Sequence, residues 1–237
     1  MLKSLLKRNP MAAFCVSAAL ALAPLHSAQA VPVSLTLLPG VAGGTLAATG
    51  VYKADLSAVG IAQLLSITIT DNSGSLGGSS GQFSGFDLDA IRLSYTNCAT
   101  AACVAADAGQ SVFDFLAGTS FSPGTQRTPV DLKLFGTDAT GNAVDNAMAT
   151  LGAFDGESST TTPFGFLSMG DNGSVTFNLL TALTTNGLFL YIGEVGDNGE
   201  VAASAITVRD TNNVPLPAAP ALLALGLMSM LGLRQRA

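Results

Sequence analysis

Apolar residues recur at every second position through most of this chain, and a two-residue period buries one face of a strand but no face of a helix. Val33, Leu35 and Leu37 alternate with Ser34 and Thr36. Leu65, Ile67 and Ile69 alternate with Ser66, Thr68 and Thr70, and Val130, Leu132 and Leu134 with Asp131 and Lys133. Val175, Phe177 and Leu179 alternate with Thr176 and Asn178. Phe189 and Tyr191 take one parity while Leu188, Leu190 and Ile192 take the other, which predicts a more buried strand; Ala205 to Arg209 closes the set. Clusters of Gly, Asn, Asp and Ser separate the runs, as turns between short strands require. The pattern predicts an all-β fold, an antiparallel β-sandwich or jelly roll. Helix signals are few; Leu56 to Leu65 and Ser111 to Leu116 each have room for one short turn.

One run breaks phase. Phe86, Leu88 and Ala90 share a parity, then Ile91, Leu93 and Tyr95 take the opposite one. A β-bulge near Ala90-Ile91 restores a single apolar face. The Gly- and Ser-rich stretch from Asp71 to Gly85 predicts a long loop, and Thr211 to Asn213 a linker. No true repeat is present, although Gly-Asp-Asn-Gly occurs from Gly170 and again from Gly196.

Both ends carry addresses rather than core. Lys3, Lys7 and Arg8 precede an apolar stretch from Met11 to Leu22 and then Ala28-Gln29-Ala30, the three regions of a secretory signal peptide. Cleavage after Ala30 leaves Val31 first; the competing reading is an uncleaved anchor. At the other end Val214-Pro215-Leu216-Pro217 precedes an apolar run from Ala218 to Leu233 and a terminal Arg234-Gln235-Arg236-Ala237. A helix over that run would be roughly 24 Å long, marginal against a hydrocarbon core of about 30 Å. Arg234 and Arg236 would stop transfer and stay cytoplasmic. The tail is therefore an ordinary membrane anchor or a transient one that a processing enzyme removes.

The tail resembles a PEP-CTERM sorting signal, a segment also described as an ice-binding-protein C-terminal domain. Leu216 stands where the name-giving motif has Glu, as in VPLP variants. The resemblance covers about a tenth of the chain. It implies sorting by an exosortase, a membrane cysteine protease or transpeptidase of Gram-negative exopolysaccharide producers. Inner-membrane passage and delivery to the envelope follow from it, while no activity does. The chain thus divides into a signal peptide (1–30), an extracytoplasmic β-sandwich (31–213) and a sorting tail with a transmembrane segment (214–237).

The body's charge excludes one large class of partners. Between Val31 and Asn213 stand Lys53, Arg92, Arg127, Lys133 and Arg209 against all sixteen acids, a net charge of −11. Such a surface repels phosphate backbones, so nucleic acid is not expected. The single histidine, His26, lies in the signal region, which removes His-dependent nucleophilic catalysis and His metal sites from the body. Cys15 also lies there and leaves Cys98 and Cys103 as a pair. A disulfide is expected in an oxidising compartment; a redox pair or half a metal site are the alternatives.

The remaining chemistry is carboxylate chemistry. Asp71 with Asp87 and Asp89, and Glu194 with Asp197 and Glu200, are candidate calcium ligands. The plainer reading is that Asp and Asn beside Gly are turn residues. Asp87 and Asp89, two apart on a strand, would place carboxyls about 7 Å apart, within the range of an inverting glycosidase pair. Alternate acids on a solvent face explain the same spacing, and the chain lacks Trp to line a sugar cleft. Tyr95 and Tyr191 are candidate sugar platforms or half-buried strand residues. Glu157 to Pro163 reads as a flexible loop or a glycosylation segment, and the scattered threonines form no array for ice. The function expected is a non-catalytic exported surface or matrix protein associated with exopolysaccharide. A calcium-assisted carbohydrate-binding module is the alternative, and a glycoside hydrolase or lyase a third.

Overall fold

The computed structural model describes residues 30–44, 47–72, 79–156, 165–196 and 205–210. The signal-peptide residues through Gln29, the linker and the sorting tail from Thr211, the stretch Glu157 to Pro163, and the calcium candidates Asp197 and Glu200 lie outside them. Among the described residues no helix is long and apolar enough to cross a membrane.

Two antiparallel five-stranded sheets form a β-sandwich. The first contains β1 (Ala30–Val33), β4 (Gln63–Thr70), β6 (Thr119–Ser122), β8 (Ser174–Thr184) and β10 (Ala205–Arg209), in the order β1-β10-β4-β8-β6. The second contains β2 (Thr36–Ala42), β3 (Thr49–Asp55), β5 (Asp87–Ser94), β7 (Leu167–Ser168) and β9 (Phe189–Val195), in the order β2-β3-β9-β5-β7. Set aside β2 and β6 as added edges, and β1-β10-β4-β8 faces β3-β9-β5-β7. The chain passes from sheet to sheet at nearly every connection, as a jelly roll requires.

The core between the sheets takes one parity from each strand. Ile67 and Ile69 of β4 and Val175, Phe177 and Leu179 of β8 meet Leu88, Ile91 and Leu93 of β5 and Leu190 and Ile192 of β9. The expected bulge is present. Leu88 pairs with Glu194 and Ile91 with Ile192, so Asp89 and Ala90 together oppose Gly193. That extra residue lets Leu88 and Ile91 enter the same core despite their opposite parity.

The outer face of the second sheet is also covered. Helix α1 (Ala101–Ala106), capped by Thr100 through the Cys103 N–H, lies against it. Ala101, Val104 and Cys98 pack with Val51, Ala90, Tyr191 and Phe154. The Tyr191 hydroxyl accepts from the Cys98 N–H at 2.8 Å and donates to the Thr96 carbonyl at 2.6 Å, pinning the turn that carries the Cys98–Cys103 disulfide. This third layer explains why β5 and β9 are buried along their length.

Three expectations are corrected. Val33 to Leu37 is not one strand: β1 joins the first sheet and β2 the second, so the chain changes sheets between them. Alternation reports which face is buried, and is silent about which sheet. Val130 to Leu134 is a loop with Val130 and Leu132 exposed. Its backbone is held by side chains instead of a neighbouring strand: Gln126 accepts the Asp131 N–H, and the Asp131 carboxylate accepts the Gln82 N–H. No helix forms over Leu56 to Leu65 or Ser111 to Leu116; among the described residues the helical segments are a 3-10 turn at Gly81–Phe83, α1 and α2 (Asn146–Ala149). β3, β6 and β7 carry no clear alternation and were not expected.

One end of the sandwich is a crossing of backbones. A Cβ on Gly85 would sit 2.4 Å from the Gly170 carbonyl carbon, and Gly170 in turn abuts Gly124. Beside them the Arg127 guanidinium grips Asp171 through Nε (3.0 Å) and Nη2 (2.6 Å) to Oδ1. Gly85 has φ +75° and Gly187 +71°, but nothing lies within 4 Å of a Cβ on Gly187. Gly187→Ala should therefore cost about 1–2 kcal/mol from conformation alone. Gly85→Ala should cost at least about 3 kcal/mol, the collision included. Urea denaturation of the two variants measures the difference.

Candidate functional site

The carboxylates singled out from sequence go to different places. Asp71, just past β4, is buried and its carboxylate accepts the Asn172 N–H at 2.9 Å, with its own N–H donating to the Gly173 carbonyl at 2.8 Å. It ties β4 to the Gly170–Gly173 turn. Glu194 is fully buried on the face of β9 that carries Leu190 and Ile192. Asp89 lies on the other face of the sheet, beside Gly193 and Thr49. Among the described residues no three His, Cys, Asp or Glu side chains lie where they can share a metal ion. The geometry therefore does not gather Asp71, Asp87 and Asp89 into a calcium shell.

Asp87 and Asp89 are closest to a site in the sense the sequence suggested, and both are buried rather than solvent-facing. Asp87 accepts the Ser168 hydroxyl at 2.5 Å, across its pairing partner in β7. It lines a cavity of about 280 Å³ with Phe83, Phe166 and Val195. Asp89 sits at the bulge, where two residues on β5 face the single Gly193 of β9. Its Oδ2 accepts the Thr49 hydroxyl at 2.7 Å and its Oδ1 the Gly156 N–H at 2.9 Å. Gly193 makes this possible, because a Cβ there would lie 2.8 Å from Thr49 Cγ2 and 3.2 Å from Asp89 Cβ. One carboxyl thus joins β3, β5 and the outer layer.

Burial pushes the Asp89 carboxyl up to about 7, and the nearby Asp155 charge adds to the rise; the Thr49 and Gly156 bonds oppose it. A carboxylic acid near neutrality suits general acid chemistry. Here, however, both oxygens are engaged by the protein's own donors, and the acid is sealed beneath the outer layer. Chemically the arrangement works as a latch between strands.

The tyrosines separate as well. Tyr191 is buried, with its hydroxyl used by the Thr96–Cys98 turn. Tyr95 is 42% exposed and bonds the Thr184 carbonyl and hydroxyl at 3.1 Å each, bridging the two sheets on their open flank.

On that flank lies the arrangement that sequence reasoning missed. Past β7 the edge of β5 is covered piecemeal: the Ile91 N–H donates to the Leu151 carbonyl, and the Leu93 carbonyl accepts the Gln110 N–H. The strap from Ala108 onward then reaches β8, where the Leu180 N–H donates to the Val112 carbonyl and Phe113 bridges Leu179. Between strap and turn opens a cleft of about 420 Å³ lined by Arg92, Gln110, Ser111, Phe113, Phe115 and Leu180, among others. Two signals were available: Arg92 is a lone cation in an apolar strand, and Phe113 and Phe115 alternate in a stretch read as a helical turn.

The latch has a pH signature. The raised group holds its proton in the folded state, so its contribution to stability is complete below about pH 4 and is lost as pH rises toward about 7. Asp89→Asn keeps a neutral group of the same shape. It should match the wild type near pH 4 and exceed it above pH 7.5 by up to about 4 kcal/mol, read from denaturation midpoints across that range. No family model, curated protein or solved structure matches this chain.

Proposed function

We propose that this chain is a non-catalytic exported protein of the cell surface or extracellular matrix, sorted through its C-terminal tail and associated with exopolysaccharide. The observation that carries the reading is the Cys98–Cys103 disulfide. Such bonds persist in oxidising compartments and are rare in the cytosol. The signal-like N-terminus and the tail from Val214 to Arg236 agree with it. Passage through the inner membrane and an exosortase-type enzyme as processing partner belong to the same proposal. The hydrogen bonds of Asp87 and Asp89 favour a structural use of these acids over a glycosidase pair. A glycan-binding role is the second reading, favoured by the aromatic and polar lining of the cleft beside Arg92.

Expressing the full-length chain in a Gram-negative exopolysaccharide producer, with and without its exosortase-type enzyme, tests this. With the enzyme present, the expected product is a shortened, disulfide-bonded form at the surface or in the medium. Without it, the full-length form accumulates in the membrane fraction. A reduced protein confined to the cytoplasm overturns the reading.

A further inference from the structure

The cleft on the β5–β8 flank is lined by the Arg92 side chain. Arg92 leaves β5 with its stem packed against Gly109, where a Cβ would lie 2.6 Å from Arg92 Cγ. Gly109 has φ +63°, and its N–H is taken by the Asp107 carboxylate at 3.1 Å, so the chain turns tightly there and brings Gln110 and Ser111 alongside the arginine. The guanidinium donates to the Val104 carbonyl and, at 3.0 Å, to the Gly152 carbonyl, and lies 4.8 Å from the Phe154 ring centre. These partners are neutral. Asp107 acts on the charge only from a distance, whereas Arg127 has its carboxylate in direct contact.

A half-buried cation held by neutral acceptors in the lining of a cleft attracts an anion. The walls say what the anion is attached to. Phe113 and Phe115 stack at 5.6 Å with an interplanar angle of 16°, and Phe177 meets both edge-on from the core. Leu180, 63% exposed, forms the rim. Gln110 and Ser111, which carry an amide and a hydroxyl, line the same cleft. An aliphatic or aromatic acid would use the rings and make no use of these two polar groups. A sugar ring has an apolar face for the rings and hydroxyls for the polar pair. The volume is within the range of small-ligand sites.

We propose that this cleft binds a uronic acid residue, with Arg92 taking the carboxylate, Phe113 and Phe115 the ring face, and Gln110 and Ser111 the hydroxyls. The site needs neither calcium nor Tyr95; the proposal rests on the glycan-binding reading of this cleft, and its failure leaves the export reading, whose test reports location and not binding, standing. The acidic surface repels anions at long range, so contact must supply the affinity. A Kd of about 1 mM is expected.

The full-length chain, purified in mild detergent, is titrated with methyl glucuronoside, methyl glucoside and acetate, followed by calorimetry and by amide shifts of Gln110, Ser111 and Gly152. Glucuronoside should bind at least tenfold more tightly than either of the others. Arg92→Gln should lose that binding, but it also releases Val104 and Gly152. Leu180→Glu therefore serves as the second variant: it changes an exposed rim position, keeps the fold, and should weaken glucuronoside at least tenfold. Equal binding of glucoside, equal binding of acetate, full affinity in folded Leu180→Glu, or no glucuronoside binding at any attainable concentration would each overturn the proposal.

Discussion

The central strands of the second sheet, β5 and β9, are buried on both faces, and the Asp89 carboxyl is what secures the outer one. A strand that faces only one core needs no polar group inside. Here β5 must serve the inter-sheet core with Leu88, Ile91 and Leu93 and the outer layer with Ala90. The bulge supplies the extra residue, and Asp89, pushed to the outer side, finds Thr49 on β3 and the Gly156 N–H above it. Without those donors the site would hold an unsatisfied buried acid, a large penalty. The bulge, the absence of a side chain at Gly193 and the closure of the 150–156 segment are therefore one device.

Covering that outer face leaves the neighbouring edge short. β7 contributes two residues, and beyond it the edge of β5 is met by a turn carbonyl at Leu151 and by the strap at Gln110. Irregular cover satisfies hydrogen bonds one at a time and does not close-pack, so a cleft remains between turn and strap. Edge strands left open invite pairing with other chains. In this fold the cleft is the residue of blocking that edge with loops, and Arg92, spanning from β5 to the carbonyls of Val104 and Gly152, ties α1 and the turn to the strand.

What the sequence disclosed follows the same physics. Strands with one wet face, β4 and β8, were legible because polar residues alternate with apolar ones; so was the bulge, because Leu88 and Ile91 disagree in parity. β3 was illegible because both its faces are covered, so Val51, Tyr52 and Ala54 form no alternation. The Val130 to Leu134 run misled for the opposite reason: it alternates, yet its apolar side chains at 130 and 132 meet no core. For the candidate site the spacing of Asp87 and Asp89 placed both on one strand correctly, but their partners Ser168, Thr49 and Gly156 are 40 or more residues away. No local pattern encodes those.

The acidity of the body also acquires a structural account. Asp55 accepts the Ser57 N–H, Asp114 those of Leu116 and Ala117, Asp138 those of Thr140, Asn142 and Ala143, and Asp145 that of Ala147. Each closes a turn or a helix start, because a short carboxylate reaches backbone N–H groups two to five residues on. The Ser57 N–H holds Asp55 below the usual carboxylate range, and the Thr140 hydroxyl does the same to Asp138. Lowered groups add stability above their unfolded value and lose it as pH falls, the reverse of Asp89. The turn carboxylates therefore act on stability below about pH 4 and the buried latch between about pH 4 and 7, with opposite signs. Short turns closed by Asp side chains thus contribute to the negative net charge of the body independently of anything it binds.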